Sequence, residues 1–387
     1  MKSSLRVIVT GLIAQYPLGG VAWDYFQYVL GLAQLGHDVY YIEDTGQWPY
    51  NPTEGGVSAG CDYNVQYLAN LMARFGLGDK WAYCFPWESQ WFGLSEQKRN
   101  EVIKSADLLI NVSGTLMYPW NYRQVKHLVY IDSDPAFTQV KLARGQADFQ
   151  KMVDAHDIHF SFGETLADAI PKTGHHWRPT RQPIVLSEWH PSAKERNTFT
   201  TVMNWTSYKP ITYNGLTYGQ KDIEFKRFMK LPKLVPDVEL ELAVNAGKTR
   251  RTPREILAHN GWQVVDPEKV CPDLDSYRNY IESSKAEWSV AKNAYVAGKT
   301  GWFSCRSACY LAAGKPVVVQ DTGFSSVLPV GEGILPFTTI EEAVTAIEEV
   351  EEKYERHSKV ARAIAETYFD SNKVLSQLIE GVYNRHG

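Results

Sequence analysis

Ser304, Arg306 and Ser307 stand at the start of a stretch with helical character that follows Gly301-Trp302-Phe303. A helix start leaves backbone N–H groups unpaired and carries the positive end of the peptide dipoles, which suits a diphosphate. A guanidinium can hold two phosphate oxygens at once, so Arg306 is a candidate for that anion. Ser304 or Ser307 can cap the helix and also bond phosphate. The alternative is a capped helix with a surface arginine. Asp321-Thr322-Gly323-Phe324 lies just past the apolar run Val317-Val318-Val319. Asp321 can accept hydrogen bonds from ligand hydroxyls, and Gly323 permits close approach to the backbone. The plainer reading is an ordinary strand-to-helix turn. Asp132 and Asp134 could bind a metal or an acceptor, but Asp134-Pro135 favours simple loop chemistry, and no metal is expected. His156, His159 and His175-His176 read as core, surface or loop imidazoles, and Arg250-Arg251 with Arg254 as a solvated basic cluster.

These groups need strands and helices to hold them. Leu5–Val9 and Asp38–Ile42 read as strands on either side of a helix over Val21–Leu35, a βαβ opening. A further helix is expected over Asn64–Phe75. Further strands are expected at Asp107–Val112, His127–Ile131 and Ile158–Phe162. Four prolines between Pro171 and Ser192 mark an interdomain linker. A second alternating series follows, with strands at Phe199–Met203, Val238–Val244, Trp262–Val265, Glu287–Ala291 and Pro316–Gln320. Helices Ile340–Lys353, Ser358–Tyr368 and Asn372–Tyr383 end the chain. The all-apolar Val317–Val319 run fits a parallel strand covered on both faces, and ligands of open α/β sheets sit past the carboxyl ends of such strands.

The chain has 387 residues, enough for two α/β domains, with 44% hydrophobic and 22% charged residues. A net charge of −4 gives no electrostatic reason to expect nucleic acid. No apolar run approaches membrane-spanning length. Five scattered cysteines argue against a disulfide framework and for a reducing cytoplasm. Aromatic content of 13% suits a carbohydrate enzyme but equally a large domain with many buried rings.

The order of glycine loop, helix ending Ala312-Ala313-Gly314-Lys315-Pro316, apolar strand and second glycine loop resembles the donor half of GT-B nucleotide-sugar glycosyltransferases. Gly301, Ser304, Ala312, Gly314, Pro316, Val317, Val318 and Gly323 carry the match. The resemblance implies two doubly wound Rossmann-like domains facing a cleft. An acceptor-side domain would span residues 1–190 and a donor-binding domain residues 191–370. The last segment, 371–387, would form a helix crossing back to the first domain. It also implies that Gly19-Gly20 faces the donor, and that Lys221, with Thr206 as a hydroxyl contact, approaches the diphosphate. Asp24, one turn into the first helix, would be a general base if the reaction inverts. A solvated lysine and a first-turn acid favoured by the helix dipole are the plain alternatives.

Two departures limit the carry-over. Retaining members pair two glutamates eight positions apart, where this chain has Gly301 and Cys309. Plant-type inverting members place a histidine where this chain has Lys299 and Thr300. The expectation is therefore a metal-independent, cofactor-free transfer of a sugar from a nucleoside-diphosphate sugar to an unidentified acceptor. A nucleotide-sugar epimerase and a non-catalytic nucleotide- or sugar-binding protein remain as alternatives. Arg306→Ala is expected to weaken donor binding without unfolding the protein.

Overall fold

Apolar strands alternating with helices build two parallel sheets in the computed structural model, which describes residues 4–166, 170–191, 196–245 and 252–384. The first half comprises β1 (Arg6–Thr10), β2 (Asp38–Glu43), the short ribbon β3 (Tyr50–Asn51) and β4 (Gly56–Val57), β5 (Trp81–Phe85), β6 (Gln90–Gly93), β7 (Leu108–Val112), β8 (His127–Asp132), β9 (Ile158–Ser161) and β10 (Trp177–Pro179). The second comprises β11 (Thr198–Asn204), the ribbon β12 (Ile211–Tyr213) and β13 (Leu216–Tyr218), β14 (Glu239–Asn245), β15 (Gln263–Val265), β16 (Ala286–Ser289), β17 (Val317–Gln320) and β18 (Ile334–Phe337).

The first sheet runs β10-β9-β8-β7-β1-β2-β5-β6, parallel throughout except for the antiparallel β5–β6 hairpin. The second runs β15-β14-β11-β16-β17-β18. In each sheet the strand order reverses beside the first strand, between β1 and β7 and between β11 and β16. Such switch points leave a crevice at the carboxyl ends of the strands. Every residue of β7 and of β17 is buried, as strands with helices on both faces require.

The first helix, Gly19–Gln34, is buried along most of its length. Trp23 and Phe26 on it share one apolar core with Ile281 and Tyr310 of the second half. The Trp23 indole donates to the Leu274 carbonyl at 3.0 Å. Its other end receives the closing helix, Ser371–Tyr383, which crosses back onto the first half. Gly31 lies so close to Leu375 that a Cβ there would stand 2.7 Å from Leu375 Cδ1.

Four strands of the two main sheets went unread in the sequence. Trp177–Pro179 falls inside the proline-rich stretch expected to be linker, but it pairs along one side only, with β9. At an edge, the missing N–H of Pro179 costs the ladder nothing. The β5–β6 hairpin lacks valine and isoleucine and carries its alternation in aromatic residues. Ile334–Phe337 is a four-residue edge strand, too short for a periodic signal.

Leu375 is fully buried between the closing helix and the first helix. Leu375→Ala should lower stability by about 2–5 kcal/mol through lost burial and a residual cavity. Urea unfolding of the variant beside the wild type checks this.

Candidate active site

A cavity of about 610 Å³ opens where the two switch points face each other. The first half supplies Leu12, Gly20, Asp24, Tyr25, Ser113 and Asp134, and the second supplies Asn204, Lys221, Lys292, Ser304, Cys305 and Arg306.

Glu43, at the end of β2, sets the wall on the first side. Its buried carboxylate accepts the N–H groups of Ala14 at 2.8 Å and Gln15 at 2.6 Å, and the Tyr41 hydroxyl at 2.6 Å. Burial pushes Glu43 up to about 7, against the pull of those donors. This pins the loop that leads into the first helix. Asp24 faces the cavity one turn into that helix, and its side chain makes no hydrogen bond or ion pair with a described residue. Burial raises it to about 7, and the nearby Arg306 guanidinium offsets part of the rise.

On the second side the helix Cys305–Ala312 begins at Ser304, whose side chain makes no capping bond. The helix's first N–H groups have no partner within it. At its far end Gly314, in the left-handed region at φ 67°, turns the chain into β17, with Gly314 N–H donating to Leu311 O at 2.9 Å. Arg306 does not reach freely into solvent. Its Nε donates to Glu287 Oε1 at 2.6 Å, Nη1 to Val202 O at 2.8 Å and Nη2 to Ser289 Oγ at 3.0 Å. Two of its five N–H groups are left for a ligand. Lys221 is buried in the same wall and makes no hydrogen bond or ion pair with a described residue. Burial, then repulsion from Arg306, drives it well below the ordinary lysine value.

A polar cluster crosses between the halves at one side of the cavity. Lys292 Nζ donates to Asp134 Oδ1 at 2.9 Å and to Tyr208 Oη at 2.9 Å, and the Tyr208 and Tyr295 hydroxyls also donate to Asp134. Burial alone would raise Asp134, yet Lys292 and the two hydroxyls hold it below the ordinary carboxylate range.

Of the residues singled out in the sequence, Gly20, Asp24, Asp134, Lys221, Ser304 and Arg306 line this cavity. The others do not. Gly19 is a packing contact: a Cβ there would lie 2.1 Å from the Asp273 carbonyl oxygen. Thr206 is buried away from the wall. Ser307 is buried with its hydroxyl unpartnered, beside a void of about 10 Å³ that Thr322 and Phe324 also line. The Asp321–Phe324 loop stands outside the cavity lining. Asp321 spends its carboxylate on Gly323 N at 2.9 Å and on Ser325 Oγ at 2.6 Å. Thr322 donates to Trp302 O at 2.6 Å, and the buried Phe324 packs edge-on against Phe303. Gly323, at φ 98°, sits against the Lys299 carbonyl and Thr165. The loop is thus a packed turn. The surface-arginine alternative for Arg306 is corrected, since its head is anchored in the sheet. Asp132 is fully engaged with Thr138, Gln139 and Ser161. Arg250 and Arg251 lie outside the described residues.

Lys292, Tyr208 and Tyr295 escaped notice in the sequence, and Asp134 was read as loop chemistry. The available signal was position: Lys292 lies just past the carboxyl end of β16, at the switch point.

No protein-family model matches the chain, and no curated protein matches it. Solved structures do. An alpha-glucosyltransferase in complex with UDP superposes with a TM-score of 0.59 at 13% identity, over 98% of this chain and 99% of that one. Sucrose-phosphate synthase from Thermosynechococcus elongatus gives 0.55 at 10% identity over the whole of both chains. Anabaena Alr3699/HepE in complex with UDP and glucose gives 0.56 at 10% identity, over 98% of this chain and 100% of that one. The chain has the fold of these proteins, GT-B, with two Rossmann-like halves and a closing helix returned to the first.

Removing the two cations should have opposite effects on stability. Arg306→Ala strands the Glu287 carboxylate in the interior and should cost about 3–5 kcal/mol, so the loss would not be confined to donor binding. Lys221→Met removes a buried charge with no partner and should leave stability equal or higher. Because the folded lysine sits below its ordinary value of 10.5, the wild type is penalised at neutral pH. That penalty fades as pH climbs toward the ordinary value. Urea unfolding of both variants across pH checks each sign.

Proposed function

We propose that the protein transfers a sugar from a nucleoside-diphosphate sugar to an acceptor hydroxyl. The observation that carries this is the unpartnered, buried Lys221 beside Arg306 and a helix start, all on one wall of the cavity between the switch points. A buried lysine with no anionic partner, beside an arginine whose carboxylate partner is Glu287, is a place that an anion would complete. The GT-B neighbours are solved in complex with UDP, UDP-glucose, or UDP and glucose.

In the transfer, the bond from the anomeric carbon to the β-phosphate oxygen breaks and a bond from the acceptor oxygen forms. Negative charge gathers on the departing diphosphate. Lys221, the two free N–H groups of Arg306 and the N–H groups after Ser304 are held ready for that charge, with no reorganisation needed. Gly20 keeps the opposite wall open beside Tyr277. In an inverting displacement Asp24 takes the acceptor proton, since its value near 7 suits a base at neutral pH. A closed cleft limits loss of donor to water. The reading gives no metal a part in the step: Asp132 is spent on its neighbours and Asp134 is neutralised by Lys292. The five free thiols fit the reducing cytoplasm. No helix among the described residues is long and apolar enough to cross a membrane.

Calorimetry with UDP and UDP-glucose tests the donor assignment. Lys221→Met should weaken UDP binding about tenfold or more, the size of a lost charge-assisted bond. Equal affinity in the variant and the wild type would remove Lys221 from the site. kcat/KM should rise as pH passes through about 7, where Asp24 of the free protein loses its proton. Asp24→Asn should erase that rise and cut turnover about a hundredfold or more while UDP still binds. A wild-type pH profile in the variant would remove Asp24 from the reaction. Transfer should also survive EDTA, and complete, metal-reversible loss of activity would overturn the cation assignment.

A further inference from the structure

Three segments at the carboxyl edge of the first sheet carry an aromatic surface that the cavity does not use. They follow β2, β5 and β7, and so project from the same edge as the cavity. Trp48, Trp87, Met117, Tyr118 and Trp120 stand on them with 41%, 60%, 45%, 45% and 37% of their surface exposed. These include every tryptophan with a large exposed surface among the described residues. A cluster of costly exposed rings in one place marks a binding surface, whereas single exposed apolar residues do not.

The rings are held in position. Trp48 is braced edge-on by Phe85 at 5.4 Å and stands 6.1 Å from Trp87 at an interplanar angle of 43°, an open wedge. Tyr118 and Trp120 form a second tilted pair at 5.5 Å. Lys151 covers one face of Trp120 at 4.4 Å. The surface runs on from the cavity wall. Ser113 lines the cavity, and its loop continues to Met117, whose N–H donates to Asp44 O at 3.1 Å. On the other side Gln15, in the loop that places Leu12, donates to Gln47, the neighbour of Trp48, at 3.3 Å.

Charge decides what fits. Segments 44–60, 86–89 and 113–122 contain the carboxylates of Asp44, Glu54 and Glu88 and no Lys, Arg or His, and among the described residues Lys151 over Trp120 is the single cation against these rings. Anionic lipid and nucleic acid both require cations at the contact. With Asp44 engaged by Tyr122 and Glu54 by Asn51 and Ser58, flat aromatic faces beside the Glu88 carboxylate suit a neutral sugar ring, which offers C–H faces for stacking and hydroxyl donors at its edge.

We propose that this surface binds a neutral oligosaccharide, the acceptor chain, with one ring seated in the Trp48–Trp87 wedge and the chain leading toward the cavity past the Ser113–Met117 loop. The proposal rests on the sugar-transfer reading and names the acceptor class for it.

The full chain is titrated with maltohexaose, cellohexaose and laminarihexaose, followed by tryptophan fluorescence, and separately with UDP by calorimetry. At least one hexasaccharide should quench and shift the emission. The Trp48→Ala/Trp87→Ala double variant should bind it about tenfold more weakly or worse by calorimetry, with UDP affinity unchanged. Should the double variant lose its UDP response, Tyr118→Ala on a separate loop repeats the test. The proposal is overturned if no hexasaccharide binds the wild type, or if the variants bind as tightly. It is also overturned if phosphatidylcholine–phosphatidylglycerol vesicles shield these tryptophans while sugars do not. Hexasaccharide binding without any UDP binding would sink the donor reading and leave the surface standing.

Discussion

One buried ion pair organises the cleft. Arg306 reaches back from the helix start to Glu287 on β16, the carbonyl of Val202 on β11 and the hydroxyl of Ser289. A single guanidinium thus ties the helix start to both strands that flank the switch point. Burying such a pair costs desolvation that Coulomb attraction only partly returns, so its worth here lies in position more than in stability. One oxygen of Glu287 has no hydrogen-bond partner, so the carboxylate is not fully compensated. The charge left at Arg306 then sets its neighbours. It lowers Asp24 against burial and drives Lys221 further down, so three ionisable groups on two domains share one electrostatic balance.

The halves are joined in two different ways. Around Trp23 and Phe26 the joint is apolar and continuous with both cores. Gly19 lets the Asp273 carbonyl approach where any side chain would block it. At the cleft the contacts are polar: Asp134 with Lys292, Tyr50 with Glu268, and Thr165 with the Lys299 carbonyl. Water can replace polar contacts at a net cost near 1 kcal/mol each, whereas separating the apolar joint exposes large rings. The cleft side is therefore the side that can yield to a ligand, and the first helix is the side that holds.

What could be read from the sequence follows the same division. Local features were legible because their cause is local: the apolar run of β17, the glycine that ends the preceding helix, and the periodic closing helix. The fate of a side chain was not. Arg306 could be placed at a helix start, but nothing in its neighbours says that Glu287, nineteen positions earlier, would hold it. Asp321 precedes Gly323 and Ser325, the pattern of an aspartate that caps its own turn, and that local signal outweighed the expectation of a sugar contact. The Asp134–Lys292 pair joins residues 158 positions apart, in different halves, and only the topology brings them together.

On the proposed reading the balance around Arg306 also explains why an acid and a base can share so small a space. In the free protein, burial favours the uncharged forms of both Lys221 and Asp24. An arriving diphosphate favours the charged lysine, because an opposite charge nearby raises an amine's affinity for protons. The same anion raises Asp24 further, which works against its use as a base. Arg306 moderates that rise because it is fixed by Glu287 and cannot swing wholly onto the phosphates. Were Arg306 mobile, donor binding would draw it away from Asp24 and leave the carboxyl protonated. On that reading Arg306 offers the phosphates its two free N–H groups while its bond to Glu287 keeps it beside Asp24.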